Sequence, residues 1–349
     1  MKYQFVEAIK LNPKNALSKA RDDITNILEK NGFQKIIVEK KIHENGANII
    51  SKLIYNWSMY RLSKQKLNNL KSGDCLLVQF PVIFPNLFFY RIIRKLTRKN
   101  IQTIAVIHDL ELIRYYSHQG AEKKHIQVDM QEKYCLKYFA KVIVHNNRMK
   151  KYLIEQGIDE GKLKVLGIFD YLLQEELDSR KKGLNKPVII AGNLSMEKAA
   201  YIRQLDTISI AFNLYGMGCE DVNAPNIQYF GSFTSKQLPK MLEGSFGLVW
   251  DGDSVETCSG IFGRYMLYNN PHKISMFLAC GFPVIIWSQA ALADFVIKNN
   301  VGIVVDHIWE IPEKVSKITE NDYQKMIGHV NKISERLREG LYLMESLKN

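Results

Sequence analysis

No stretch of the 349-residue chain approaches the roughly 18 consecutive apolar residues of a membrane-spanning helix, and "MKYQFVEAIK" lacks the layout of a secretion signal. Cysteine is sparse: five residues, Cys75, Cys135, Cys219, Cys258 and Cys280, with no C-x-x-C pair among them. An odd, dispersed set argues against a zinc site or a disulfide frame, and for reduced thiols in the cytoplasm. Low-complexity tracts and solenoid-type repeats are absent as well. Zinc-finger spacing, an RNP-like aromatic motif and a lysine-rich tail are missing too, which places nucleic acid behind other partners.

What the chain does have is a formal net charge of +12. Such an excess calls for an anionic partner: nucleic acid, an anionic membrane face or a phosphorylated small substrate. The most basic segment is "FFYRIIRKLTRKN", from Phe88 to Asn100. On a helix, Phe89, Ile92, Ile93 and Leu96 gather on one side while Arg91, Arg94, Lys95, Arg98 and Lys99 crowd the rest. Two readings stand side by side, a helix lying on anionic headgroups or a sheet-covering helix with a solvated basic face.

Short apolar segments alternate with amphipathic ones almost throughout. "YQFVEA", "KIIVE", "CLLVQF", "IQTIAVI" and "KVIVH" read as strands in the first half, and "ALSKARDDITNILEKNG" as a helix closed by Gly32. "VIIAG", "ISIAFNLYG", "IQYFG", "FGLVW", "PVIIW" and "GIVVD" read as strands in the second half. Continuous apolar strands between amphipathic helices predict a parallel sheet covered on both faces. The alternation pauses in the charged stretch from Phe169 to Pro187, where a linker is expected. The expected organisation is therefore two doubly wound α/β domains around a cleft, residues 1–170 and 171–325. A closing helix over 326–349 is expected to pack back on the first domain. Ligands of such sheets bind beyond the carboxyl ends of the strands.

Several polar groups fall there. In "VIIAGNLSMEKA", Asn193, Ser195 and Lys198 follow a strand at a helix start. Ser195 suits a cap, but a lysine opposes the helix dipole unless an anion sits beside it, so capping and anion binding both remain open. In "IQYFGSFTSKQLP", Phe233 either stacks on a flat base or packs under the following helix. The connection "WDGDSVETCSGIFGRYMLYNNPHK" is long, polar and glycine-bearing, and so reads as functional. Within it, Asp251 and Asp253 serve either as acceptors for sugar hydroxyls or as braces of the loop. It ends in "NNPHK", where Asn270 is the expected N-cap, Pro271 the first helical residue, and His272 and Lys273 the first turn. Free amides, the positive end of the dipole and a lysine make a pyrophosphate site there, whereas capping alone leaves the His-Lys pair unexplained. In the first half, Asn15 lies in a loop near a helix start. In "AVIHDLELIR", Asp109 stands at a strand end, placed either for general-base work or as a turn residue.

The segments from Trp250 to Phe295, "AGNLSMEKA" and "IHDLELIR" together resemble bacterial glycosyltransferases of the glucosyltransferase 3 and β-1,6-galactofuranosyltransferase type. The likeness runs over nearly the whole chain and is densest from Gly247 to Asp306. It implies a GT-B fold, two Rossmann-like domains with a UDP-sugar held mainly by the second, and a metal-independent, inverting hexosyl transfer. No bound cofactor is implied beyond the UDP-sugar donor. Asn193, Lys198, Ser259, Gly260, Asn269, Asn270 and Lys273 become nucleotide and diphosphate contacts, with Phe233 a neighbour of uracil. Asp109 becomes the base that deprotonates an acceptor hydroxyl, and Asn15 and Ala16 join Asp251 and Asp253 on the substrate side. The family pattern N-A-G-S-K-A appears here as "NALSKA", with Leu17 in place of glycine, so acceptor approach is the least transferable feature. The expected acceptor is a glycan, lipid-diphosphate-linked or on a glycoprotein. Peripheral contact with the inner membrane face and self-association go with that picture. Three rivals remain: a UDP-sugar epimerase of similar fold, a non-catalytic nucleotide-sugar-binding subunit, and a nucleic-acid-binding module.

Overall fold

A computed structural model describes residues 1–8, 16–39, 49–84, 86–116, 130–173, 177–178, 181–219, 222 and 224–348, with the side chains of 16–18, 49, 116, 130 and 131 outside the description. Asn15 therefore lies outside the described residues. Contacts divide the chain into two compact units. The first takes Met1–Leu11, Ile24–Leu166 and Ser346–Asn349, and the second takes Asn12–Asp23 and Gly167–Glu345.

The first unit is built on β1 (Lys2–Ala8), β2 (Gln34–Glu39), β3 (Cys75–Phe80), β4 (Gln102–Ile107), β5 (Lys141–Val144) and β6 (Leu163–Val165). All its pairings are parallel, in the order β2-β1-β3-β4-β5-β6. β3 and β4 are buried from Leu76 and Thr103 onward, as their unbroken apolar runs require for a sheet covered on both faces. β6 escapes a reading of pattern because it is only the tripeptide Leu-Lys-Val.

The helices over Ala16–Lys30 and Phe89–Arg98 fall where the sequence reading places helices, whereas the one over Ile49–Lys66 is not named there. α1 (Ala16–Lys30) ends before Gly32, whose φ of +82° suits a residue without a side chain. α2 spans Ile49–Lys66 and α3 spans Phe89–Arg98. Phe89, Ile92, Ile93 and Leu96 of α3 are all buried, as the sheet-covering reading of that helix requires. Its apolar side faces protein and its arginines face solvent.

The second unit is built on β7 (Val188–Asn193), β8 (Phe212–Met217), β9 (Ile227–Tyr229), β10 (Gly247–Val249), β11 (Val284–Trp287) and β12 (Gly302–Val305). These are again all parallel, in the order β12-β11-β10-β7-β8-β9. Sequence order reverses between β7 and β10, the kind of switch point beside which open α/β sheets bind ligands. In the charged stretch expected as linker, Phe169 and Tyr171 are buried.

One expectation needs correction. The closing segment is not a single helix: α6 (Glu320–Glu339) stops at Gly340, φ +76°, and α7 (Leu341–Lys348) begins anew. A left-handed residue cannot continue a right-handed helix, and glycine takes that conformation at low cost. Among the described residues, no helix is long and apolar enough to cross a membrane.

Candidate functional site

Three of the polar groups picked from the sequence, Lys198, Asp251 and Lys273, meet where β7 and β10 release their chains. β10 runs into Trp250, wholly buried, whose indole nitrogen donates to the Ser254 carbonyl at 2.9 Å and so folds the following loop back on itself. The turn needs Gly252: its φ is +125°, and a Cβ there would sit 2.5 Å from the Ser259 carbonyl oxygen. Gly252 also donates its amide to the Lys198 carbonyl at 2.8 Å, tying the loop after β10 to the turn of helix Met196–Ala199 after β7.

That link brings two lysines onto one carboxylate. Lys273 donates from Nζ to Asp251 Oδ1 at 2.6 Å and to the Trp250 carbonyl at 2.9 Å. Lys198 Nζ stands 3.9 Å from Asp251 Oδ2, with its ammonium 5.4 Å from the Phe262 ring. Asp251 is nearly closed off, with 7% of its side chain exposed against 15% for Lys273 and 30% for Lys198. Burial pushes the Lys273 pKa down, Asp251 opposes that shift, and Lys198 adds to it. The cluster carries two cations for one anion, at the first turn of α5 (His272–Ala279). Asp251 thus pairs directly with Lys273 and faces Lys198. α5 comes this close to β10 because Gly247 lies flat under the Phe277 ring, where a Cβ would be 2.2 Å from Cγ.

The N-terminus of α5 differs from the expectation in two ways. Pro271, not Asn270, holds the N-cap position, and its carbonyl accepts from the Ile274 amide at 3.1 Å. The Asn270 side chain is drawn elsewhere, donating from Nδ2 to the Gly167 carbonyl at 3.0 Å. His272 also parts from Lys273. Its ring lies against Tyr171, centroids 5.2 Å apart, and against Phe169 at 6.2 Å. Burial pushes its pKa down to about 4, Lys19 adds to this, and a hydrogen bond to the Asp170 backbone opposes it. A neutral imidazole packed on aromatic rings is no counter-ion for phosphate. The cationic half of the pair is Lys273 alone.

The remaining residues divide similarly. Asn193 Oδ1 accepts from the Ser195 amide at 3.0 Å, while the Ser195 hydroxyl makes no capping bond, so asparagine braces this turn instead of serine. Ser259 and Asp253 pair through a short hydrogen bond donated by the hydroxyl, just before helix Gly260–Tyr265. Asn269 has a buried Oδ1 that finds no partner among the described residues. Phe233 rests on the core, its ring 6.4 Å from that of Tyr215. Ala16 opens α1.

In the first unit, Asp109 follows β4 and accepts from Arg114 at 2.5 Å. Around it stand His108, which the same motif carries, and Glu132, which the sequence reading passed over. His108 shares a hydrogen bond of 2.8 Å between Nε2 and Gln79 Oε1. Glu132, buried, accepts from the amides of Glu111 and Leu112 at the start of α4 (Glu111–Tyr116), at 2.5 and 3.0 Å. Burial raises the Glu132 pKa to about 8 against those two amides, with Glu111 and Asp109 adding to the rise. Glu132 lies 21 residues from the amide it caps, so no local pattern marks it.

Two Rossmann-like units with polar groups at their strand ends are the architecture of the GT-B glycosyltransferases, and this protein is a glycosyltransferase of that fold. The chain belongs to the glucosyltransferase 3-like family, whose N-terminal domain matches residues 2–168 and whose C-terminal domain matches residues 188–349. It is 36% identical over 290 residues to the β-1,6-galactofuranosyltransferase WbbI of Escherichia coli K12, covering 81% of this chain and 80% of that protein. It is 26% identical over 329 residues to glucosyltransferase 3 of Streptococcus gordonii, covering 93% and 90%. The fold is similar to that of Anabaena HepE in complex with UDP and glucose, with a TM-score of 0.60 at 12% identity over 100% of this chain and 98% of that one.

Proposed function

We propose that the protein transfers a hexose, glucose or galactofuranose, from a UDP-sugar to a glycan acceptor with inversion and without a metal ion, in the synthesis of a cell-surface polysaccharide or glycoprotein. The observation that carries this reading is the convergence of Lys198 and Lys273 on Asp251 at the first turn of α5, beside the strand-order reversal of the second sheet. Names of the relatives support the hexose, and the UDP complex of HepE supports the nucleotide.

The chemistry follows from where charge accumulates. As the glycosidic bond breaks, negative charge builds on the β-phosphate, and groups already aimed at it stabilise the transition state more than the ground state. Lys273 and Lys198 supply that charge, with the α5 amides beside them. Asn193 and Asn269 fit polar atoms of the nucleotide-sugar, and Asn270 shapes the entry to α5 through its bond to Gly167. Ser259 and Gly260 present the loop edge to the donor, and Asp253 is positioned for a sugar hydroxyl. Phe233 borders the base. Asp109 accepts the proton of the acceptor hydroxyl, with Arg114 fixing its carboxylate.

A thermal-shift panel of UDP, UDP-glucose, UDP-galactofuranose, UDP-N-acetylglucosamine and GDP-mannose tests the donor. A ligand at about a hundred times its Kd adds roughly 2.7 kcal/mol of stability. Stabilisation by UDP and one UDP-hexose, with the opposite anomer in the product by NMR, is expected. A response to GDP-mannose alone, or a retained anomer, would overturn the reading.

A further inference from the structure

α2 carries two apolar sides. Tyr55, Met59 and Leu67 beyond its end are buried against the first unit, as an amphipathic helix demands. The opposite side is apolar too: Ile50, Leu53, Ile54 and Trp57 are 66%, 51%, 56% and 49% exposed. Their spacing of i, i+3, i+4 and i+7 makes one stripe along the helix. Contiguous exposed aliphatics of this kind mark an interaction surface. The stripe continues on the same face into Arg61 and Lys64, both exposed.

Neighbouring contacts hold this face rigidly beside α3. Trp57 and Tyr60 pack edge-on against Phe88, centroids 5.9 Å away in each case. Asn56 accepts the Leu87 amide at 2.9 Å. Arg91 lies over Phe88, its guanidinium carbon 5.2 Å from the ring centroid. The exposed side of α3 then adds Arg94, Lys95 and Arg98. α2 and α3 contribute four cations each and contain no aspartate or glutamate.

The geometry points to the exposed face of α2, with the basic face of α3 beside it, as a docking surface for an anionic lipid bilayer. Leu53, Ile54 and Ile50 enter the acyl boundary, Trp57 lies at headgroup depth, and Arg61, Lys64, Arg91 and Arg94 meet lipid phosphates. Charge selects this occupant over a second copy of the chain, because a two-fold contact through this face would set Arg61, Lys64 and the four cations of α3 against the same six. The helix that enters the lipid is α2, since α3 has already spent its apolar side on the sheet. The inference does not rest on the donor reading.

Flotation of the full chain with phosphatidylcholine vesicles, with and without phosphatidylglycerol, tests it. Wild type floats with the anionic vesicles only, and salt weakens the binding. Leu53→Ser with Ile54→Ser lowers partitioning at least about ten-fold through lost apolar insertion. Arg91→Gln with Arg94→Gln lowers it roughly thirty-fold, at about five-fold per cation. All four positions are exposed, so folding and the UDP thermal response stay as in wild type. The inference is overturned by flotation with neutral vesicles alone, by no flotation at all, or by variants that float as wild type does. It is also overturned if Leu53→Ser with Ile54→Ser reduces the sedimenting mass of the lipid-free protein, since the face then belongs to a second copy.

Discussion

Replacing Lys273 by methionine separates the two tasks its ammonium performs. Without ligand, it neutralises a carboxylate that is 7% exposed. Removing one member of a fully buried pair costs about 3–5 kcal/mol. Lys198 stays 3.9 Å from Asp251 and the site is partly wet, which reduces the expected loss to about 2–3 kcal/mol. With diphosphate bound, the ammonium donates a charge-assisted hydrogen bond worth about 1.5–3 kcal/mol, so affinity falls roughly ten- to hundred-fold. At a UDP concentration of about a hundred times the wild-type Kd, a hundred-fold weaker variant gains only about 0.4 kcal/mol instead of about 2.7. Differential scanning fluorimetry measures both, because the ligand increment is read against the same variant without UDP and the stability loss cancels. Asp251→Asn is the counterpart: it loses stability but keeps a UDP increment at least as large as wild type, since both lysines are released toward phosphate. A Lys273→Met increment equal to that of wild type refutes the phosphate role. An Asp251→Asn increment as small as that of Lys273→Met refutes the brace and makes the carboxylate a ligand contact.

Asp109→Asn is expected to abolish transfer to acceptor, by roughly 10²–10⁴-fold in kcat, while the thermal response to UDP persists; a variant with wild-type turnover removes Asp109 as base. The pH dependence of stability has a defined sign at Asp170, whose carboxylate accepts from the amides of Tyr342 and Leu343 at 3.1 and 2.8 Å. Burial raises its pKa to about 7 against those amides, so between about pH 4 and 7 the folded state holds a proton that the unfolded state has lost. Its contribution is present in acid and disappears as pH rises through 7, a change on the order of 4 kcal/mol that Asp170→Asn removes. Urea titrations of both proteins from pH 5 to 8, a window that holds about 3 kcal/mol of that change, check this, and parallel curves contradict it.

The fold was readable because parallel strands buried on both faces leave unbroken Val-Ile-Leu runs, as in "CLLVQF" and "PVIIW". The clustering of Lys198, Asp251 and Lys273 was readable for a related reason: each lies directly after such a run or on a helix that follows one. What each polar residue does was less accessible. Lys273 and His272 are neighbours in sequence, yet one turns to Asp251 and the other to Tyr171, a division set by side-chain direction at a helix start. Asn270 has the composition of a cap and is claimed instead by a carbonyl 103 residues earlier. Glu132 and Asp170 hold amides far away in the chain, and the burial that raises their pKa values has no local signature. α2 was overlooked because apolar residues on opposite sides cancel any amphipathic pattern, and only burial shows which side is covered.

The two contact units exchange segments, and this bears on how the chain is synthesised and folds. The first unit draws on residues beyond 345, where Lys141 donates to the Leu347 carbonyl at 3.1 Å. The second draws on Asn12–Asp23, where Lys19 donates to Asp23 and to the Leu172 carbonyl at 2.8 Å. During vectorial synthesis the first sheet emerges long before the segment that completes its unit. The second, by contrast, finds its early segment already waiting. A break in the stretch between Phe169 and Pro187 therefore yields two fragments that each lack a piece held by the other, so complementation of the halves is expected to exceed the folding of either alone.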